Sequence, residues 1–124
     1  MSLILIVEDN EKNMKLARDV LQVKGYTTIE AMTGEEGVKL AIEQKPDLVL
    51  MDIQLPGMNG IDALRVLRAN PATTRIPIIA VTASVMQQDR KQITEAGFDA
   101  YVGKPINLKE FLEAVRKALE DRPL

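Results

Sequence analysis

The sequence predicts a doubly wound α/β domain built on a parallel sheet, and three observations predict it. The runs Leu3–Val7, Leu48–Met51 and Ile76–Val81 are continuously apolar rather than alternating, the pattern of strands covered on both faces. Two weaker runs, the polar Thr27–Ala31 and the short Ala100–Gly103, suit the edges of the same sheet. Helical periodicity alternates with these runs five times over, with short connections between them. Strong strands in the middle and weak ones outside give the order 2-1-3-4-5, a (βα)5 three-layer sandwich of the flavodoxin-like arrangement.

Each element has its own signals. After the first strand, Met14, Ala17, Val20 and Leu21 share one helical face and Gly25 stops the helix. Thr33 and Glu36 have capping-box spacing for the next helix, with Val38, Ala41 and Ile42 facing in and Pro46 beyond its end. Ile61, Leu64 and Leu67 mark a third helix that Asn70-Pro71 breaks. Pro77 is tolerable at a strand entry. Ser84 and Gln87 repeat the capping-box spacing for a fourth helix, where Met86, Ile93 and Ala96 read as core and Arg90 and Lys91 as a solvated face; Gly97 ends it. Asn107 and Glu110 open the last helix, and Leu108, Phe111, Leu112, Val115 and Leu119 form its apolar stripe.

The 124 residues fit a single domain, 1–124, and no second domain is expected after the last helix. Cysteine and histidine are both absent, which removes disulfides, thiolate and imidazole metal sites, and Ser-His-Asp or Cys-His catalysis. Any metal must be held by oxygen, favouring magnesium, calcium or manganese. Sixteen basic residues stand against eighteen acidic ones, scattered without a basic stripe, so nucleic-acid binding has no support. The apolar start runs into Glu8-Asp9 and lacks the positive leader and cleavage site of a signal peptide; with no run long enough to span a membrane, a cytoplasmic location is expected.

Function is written in what ends the strands. The first ends in Glu8 and Asp9, the third in Asp52, the fourth in Thr82 and the fifth in Lys104. In this topology those ends share one rim, so three carboxylates, a hydroxyl and an ammonium converge from distant parts of the chain. Clustered carboxylates repel, and a divalent cation relieves the penalty. With a cation and Lys104 neutralising phosphoryl oxygens, a carboxylate can act as a nucleophile toward phosphorus. Thr82 could donate to the phosphoryl group and so sense it. Each residue alone has a plainer reading: Glu8 and Asp9 as caps of the first helix, Thr82 and Tyr101 as strand residues, Lys104 as a solvated loop residue, and Pro56-Gly57-Met58-Asn59-Gly60 as a turn. All of these would have to hold together.

Val7-Glu8-Asp9-Asn10, Met51-Asp52-Ile53-Gln54-Leu55-Pro56, Val81-Thr82-Ala83 and Lys104-Pro105, in that order and spacing, resemble the receiver domain of two-component response regulators, over the whole chain. The resemblance implies that Asp52 is the phosphoacceptor, charged by a histidine kinase or a histidine phosphotransfer protein. It implies magnesium (with manganese as a substitute) bound by Asp9, Asp52 and the Gln54 backbone carbonyl, with Glu8 acting mainly through water. Lys104 contacts the phosphoryl group, its bond to Pro105 is cis, and Thr82 and Tyr101 form the switch pair. Partners would read Ser84–Glu95, Ala100–Gly103 and the exposed side of the last helix. Gln54 and Ser84 flank the site and are expected to tune hydrolysis. The tracts Glu8–Leu16 and Asp47–Pro56 further resemble single-domain regulators of the DivK type, which control histidine kinases in bacterial cell division and polarity; the same tracts resemble receivers of hybrid kinases.

Three other functions compete. An aspartate-nucleophile phosphatase of the haloacid dehalogenase kind would carry a second Asp where Gln54 stands. A flavin carrier on the same fold would want a Ser/Thr/Gly-rich phosphate loop where Glu8-Asp9 stand. A scaffold that takes no phosphate would not need the intact set of acids, hydroxyl and lysine.

Overall fold

The computed structural model describes residues 2–83 and 87–120. Five strands, β1 (Leu3–Val7), β2 (Thr27–Ala31), β3 (Leu48–Asp52), β4 (Ile78–Thr82) and β5 (Ala100–Gly103), form one sheet in the order β2-β1-β3-β4-β5. All pairings are parallel, as the continuous apolar runs require. Five helices connect and follow them: α1 (Glu11–Val23), α2 (Gly34–Gln44), α3 (Gly60–Ala69), α4 (Gln87–Ala96) and α5 (Leu108–Glu120).

The pleat sorts the strand side chains into two cores. Leu5, Val7, Val49, Met51, Ile78 and Ala80 point to one face, under Ala41 of α2, Ala63, Leu64 and Leu67 of α3 and Ile93 of α4. Ile4, Ile6, Leu48, Leu50, Ile79 and Val81 alternate with them onto the other face, under Met14, Ala17 and Leu21 of α1 and Phe111 and Val115 of α5. Each large side chain so buried contributes about 1.5–3 kcal/mol, enough to fix the register of every strand.

Caps fix the helices at their ends. Asn10 Oδ1 accepts from the Lys12 and Asn13 amides at 3.0 and 3.1 Å, Asn59 Oδ1 from Asp62 at 2.9 Å and Asn107 Oδ1 from Glu110 at 3.1 Å. Thr33 Oγ1 accepts from the Glu36 amide at 3.1 Å, but the Glu36 carboxylate returns to the Met32 amide rather than to that of Thr33. The Ser84 cap and the Met86 core position fall outside the described residues, as does the Arg90 side chain. Ile93 is buried, Ala96 packs on the first core and Lys91 is exposed.

Two expectations need correction. Leu108 is 50% exposed, because it is the first residue of α5 and the stripe meets the sheet only from Phe111 onward. The fourth strand begins at Ile78 rather than Ile76: Pro77 lies outside the ladder, where its carbonyl accepts from the Val49 amide at 3.0 Å. Among the described residues no helix is long and apolar enough to cross a membrane.

Candidate phosphoacceptor site

The chain reverses its direction of winding between β1 and β3, and the crevice at that switch point is where ligands of such sheets bind. Ladder bonds carry the strand ends into it: Glu8 N to Ala31 O at 3.0 Å, Ile53 N to Val81 O at 3.1 Å and Lys104 N to Thr82 O at 2.8 Å. The polar side chains at these ends are therefore placed by backbone that is already part of the sheet.

Glu8, Asp52 and Thr82 are buried, and one Glu8, one Asp9 and one Asp52 oxygen lie within 4.8 Å of one another. Lys104 Nζ stands between two of the acids, 2.8 Å from Glu8 Oε1 and 2.9 Å from Asp52 Oδ2. The second Asp52 oxygen accepts from the Gln54 amide at 3.0 Å, and Glu8 Oε2 accepts from the Asn10 amide at 3.3 Å. Burial, reinforced by a hydrogen bond with Asp52, pushes the Glu8 carboxyl up to about 7, and Lys104 offsets this only in part. Burial works against the Lys104 charge, yet its bonds to Glu8 and Asp52 outweigh that and raise it. Two buried acids share one ammonium, with Asp9 exposed beside them. A divalent cation fits this set: its donors are carboxylate oxygens, and the cluster carries more negative charge than Lys104 balances.

The loop after β3 closes tightly under Asp52. Gly60 N donates to Ile53 O at 3.0 Å. A Cβ on Gly60 would lie 2.4 Å from the Asp52 carbonyl oxygen and 2.9 Å from Ile53 Cα, so only glycine lets α3 begin this close to the backbone of Asp52. Leu55 buries its side chain in the first core. The Lys104–Pro105 bond is cis.

The structure thus brings Glu8, Asp9, Asp52 and Lys104 together, with Gln54 one turn from Asp52. Thr82 ends β4 on the same rim and is buried there. Tyr101 lies on edge strand β5, 39% exposed and partnered. The plainer reading of Glu8 and Asp9 as helix caps does not hold, since Asn10 caps α1. Sequence reasoning missed the direct Lys104–Glu8 pair and the Gln54 amide on Asp52: which of two acids a lysine chooses leaves no trace in spacing. The close seat at Gly60 looks in the sequence like no more than a turn.

The comparisons agree with this geometry. Residues 4–116 match the family model described as the response regulator receiver domain. The chain is 45% identical over 118 residues to the polar-differentiation response regulator DivK of Brucella anthropi, covering 95% of this chain and 96% of that protein. In structure it is similar to the receiver domain of a sensor histidine kinase from Pseudomonas aeruginosa, solved with a magnesium ion coordinated in its active-site cleft, at TM-score 0.90 and 34% identity over 97% of this chain and 98% of that one. The signal receiver domain of a histidine kinase from Syntrophus aciditrophicus is similar at TM-score 0.88 and 29% identity, over 97% and 91% of the two chains. With its strand order, its rim of acids and lysine, and a family match over nearly its whole length, the chain belongs to the response regulator receiver domains of two-component signalling.

Proposed function

We propose that the chain accepts a phosphoryl group on Asp52 from a histidine kinase or a histidine phosphotransfer protein, and that it is a switched binding module rather than an enzyme. The observation that carries this reading is the buried Asp52 carboxylate, held by Lys104 on one oxygen and by the Gln54 amide on the other, with Glu8 and Asp9 alongside. An Asp52 oxygen attacks phosphorus, the bond from phosphorus to the donor's imidazole nitrogen breaks, and the imidazole leaves with a proton from solvent. Lys104 stays on the phosphoryl oxygens and exchanges one carboxylate partner for another anion. Asp9, Asp52 and the Gln54 backbone carbonyl would hold magnesium, with Glu8 acting through water and manganese able to substitute. When bound, the ion supplies charge neutralisation between carboxylates and phosphoryl oxygens.

Thr82 and Tyr101 would pass the change to α4, β5 and α5, the surface a partner reads. The 45% identity to DivK favours control of a kinase in cell division or polarity, acting in the cytoplasm. Similarity to receivers of sensor kinases keeps a second reading open, a receiver acting within a hybrid kinase. A phosphatase lacks support, because Gln54 offers no proton where a general acid is needed.

Intact mass after incubation with acetyl phosphate and magnesium tests the reading. One phosphoryl group is expected on the wild type, none on Asp52→Asn, and none with chelator. Wild type unlabelled even after rapid quenching, with no response to beryllofluoride at Thr82 or Tyr101 by NMR, would overturn it.

A further inference from the structure

The loop that follows Asp52 is seated against a second element, the first turn of α2. A Cβ on Gly34 would lie 2.6 Å from the Met58 carbonyl oxygen and 3.2 Å from both Met58 Cβ and Cγ. Contacts near 2.6 Å to backbone are not relieved by turning a side chain, so any other residue at 34 must move the loop or the helix. Gly57, one residue earlier in the loop, has φ +72° and would put a Cβ 3.5 Å from a Glu35 carboxylate oxygen, so the loop follows the same turn over two residues. The turn itself is firm. Thr33 caps it through the Glu36 amide, and the Glu36 carboxylate ties it back to Met32. At the far end of the loop, Gly60 is seated equally tightly on Asp52 and Ile53. Residues 53–59 are therefore gripped at both ends, by α3 under the acceptor and by α2 under Met58.

We propose that Gly34 is a positioning residue for the chemistry at Asp52. It fixes the loop so that Gln54 keeps its amide on Asp52 and its carbonyl toward the cation. The inference rests on the receiver reading. It gives α2, which contributes no side chain to the acidic cluster, a part in metal binding through backbone contact alone.

Gly37 in the same helix supplies the control. A Cβ there would lie 2.7 Å from Val7 Cγ2, and its three nearest neighbours all belong to that core side chain rather than to the loop. Gly34→Ala and Gly37→Ala should both lower stability in urea. Only Gly34→Ala should also weaken magnesium affinity by calorimetry, on the order of tenfold as for other supports of a metal shell, and slow labelling by acetyl phosphate. A folded Gly34→Ala variant that binds magnesium as tightly as the wild type would overturn the proposal, since that is what a merely structural glycine gives.

Should Gly34→Ala fail to fold, the wild type still decides. The amides of Gly34 and Glu35 should shift with magnesium alongside those of Gln54 and Met58, while those of Glu43 and Gln44 stay still; silence at Gly34 and Glu35 overturns the coupling. A wild type that neither binds magnesium nor takes a phosphoryl group removes the proposed function itself, and this inference with it.

Discussion

The two rims of the sheet each carry an ion pair joining several segments, and they are built on opposite plans. At the carboxyl rim, Lys104 serves Glu8 and Asp52 while Asp9 waits beside them, leaving acid in excess in a largely buried setting. At the amino rim, Arg68 from the last turn of α3 donates to Thr74 O at 3.0 Å, Ile76 O at 2.7 Å, Gly97 O at 3.2 Å and Asp99 Oδ2 at 2.8 Å. Asp99 Oδ2 also takes the Ile78 amide at 2.7 Å, so the entry to β4, the end of α4 and the start of β5 meet at one guanidinium. There one acid meets one base and the remaining donors go to carbonyls. Charge balanced against charge makes a clasp; charge left over makes a site for something that arrives later.

The sharpest way to break this contrast is to remove each cation. Lys104→Met should cost the metal-free protein about 3 kcal/mol at neutral pH, because it leaves the buried Asp52 carboxylate without its cation and drives Glu8 to hold a proton beside it. Magnesium should restore most of that loss, since the ion takes over the neutralisation. Urea unfolding with chelator and with magnesium measures both numbers. A Lys104→Met protein as stable as the wild type without magnesium would mean the cluster carries no excess charge.

Arg68→Met should cost less, about 2 kcal/mol, because the pair is partly exposed and several of the freed carbonyls can turn to water. More telling is that the cost should be the same with and without magnesium. A magnesium-dependent cost at Arg68 would show that the two rims are coupled, and the contrast between clasp and site would fail.

The same contrast explains what could be read before the structure. Strand order, edges and central strands followed from the difference between Leu48–Met51 and Thr27–Ala31, because burial on both faces leaves a direct mark on composition. The members of the acidic site were legible because topology puts strand ends on one rim whatever the side chains do. Partner choice was not: Lys104 on Glu8 and the Gln54 amide on Asp52 depend on rotamers and loop closure. Arg68 was missed altogether. An arginine near a helix end reads as surface charge, and its four acceptors come from three segments that no periodicity connects. Gly34 and Gly60 look like ordinary turn or helix-start glycines until the backbone against them is seen. Leu108 failed in the other direction, since spacing places a residue on a face but does not say where the neighbouring layer begins.

The smallest expected effect is a pH slope, and its sign separates the rims. Glu8 is raised to about 7 from an ordinary value of 4.5. Between those values the folded protein holds a proton that the unfolded chain has lost, so stability falls as pH rises, by about 1 kcal/mol per pH unit near the middle of the window. Below 4.5 both states are protonated and above 7 both are ionised, so the slope vanishes at either end. Glu8→Gln should remove the slope, and so should saturating magnesium, which holds Glu8 ionised through the cluster. Arg68→Met should leave it untouched, because Arg68 is bonded at the opposite rim and makes no hydrogen bond to the acidic cluster. Urea midpoints from pH 5 to pH 6.5 in chelator, compared between wild type and Glu8→Gln, read the effect directly. A wild type whose stability rises with pH there would place the Glu8 charge among compensated ones and make the carboxyl rim a second clasp.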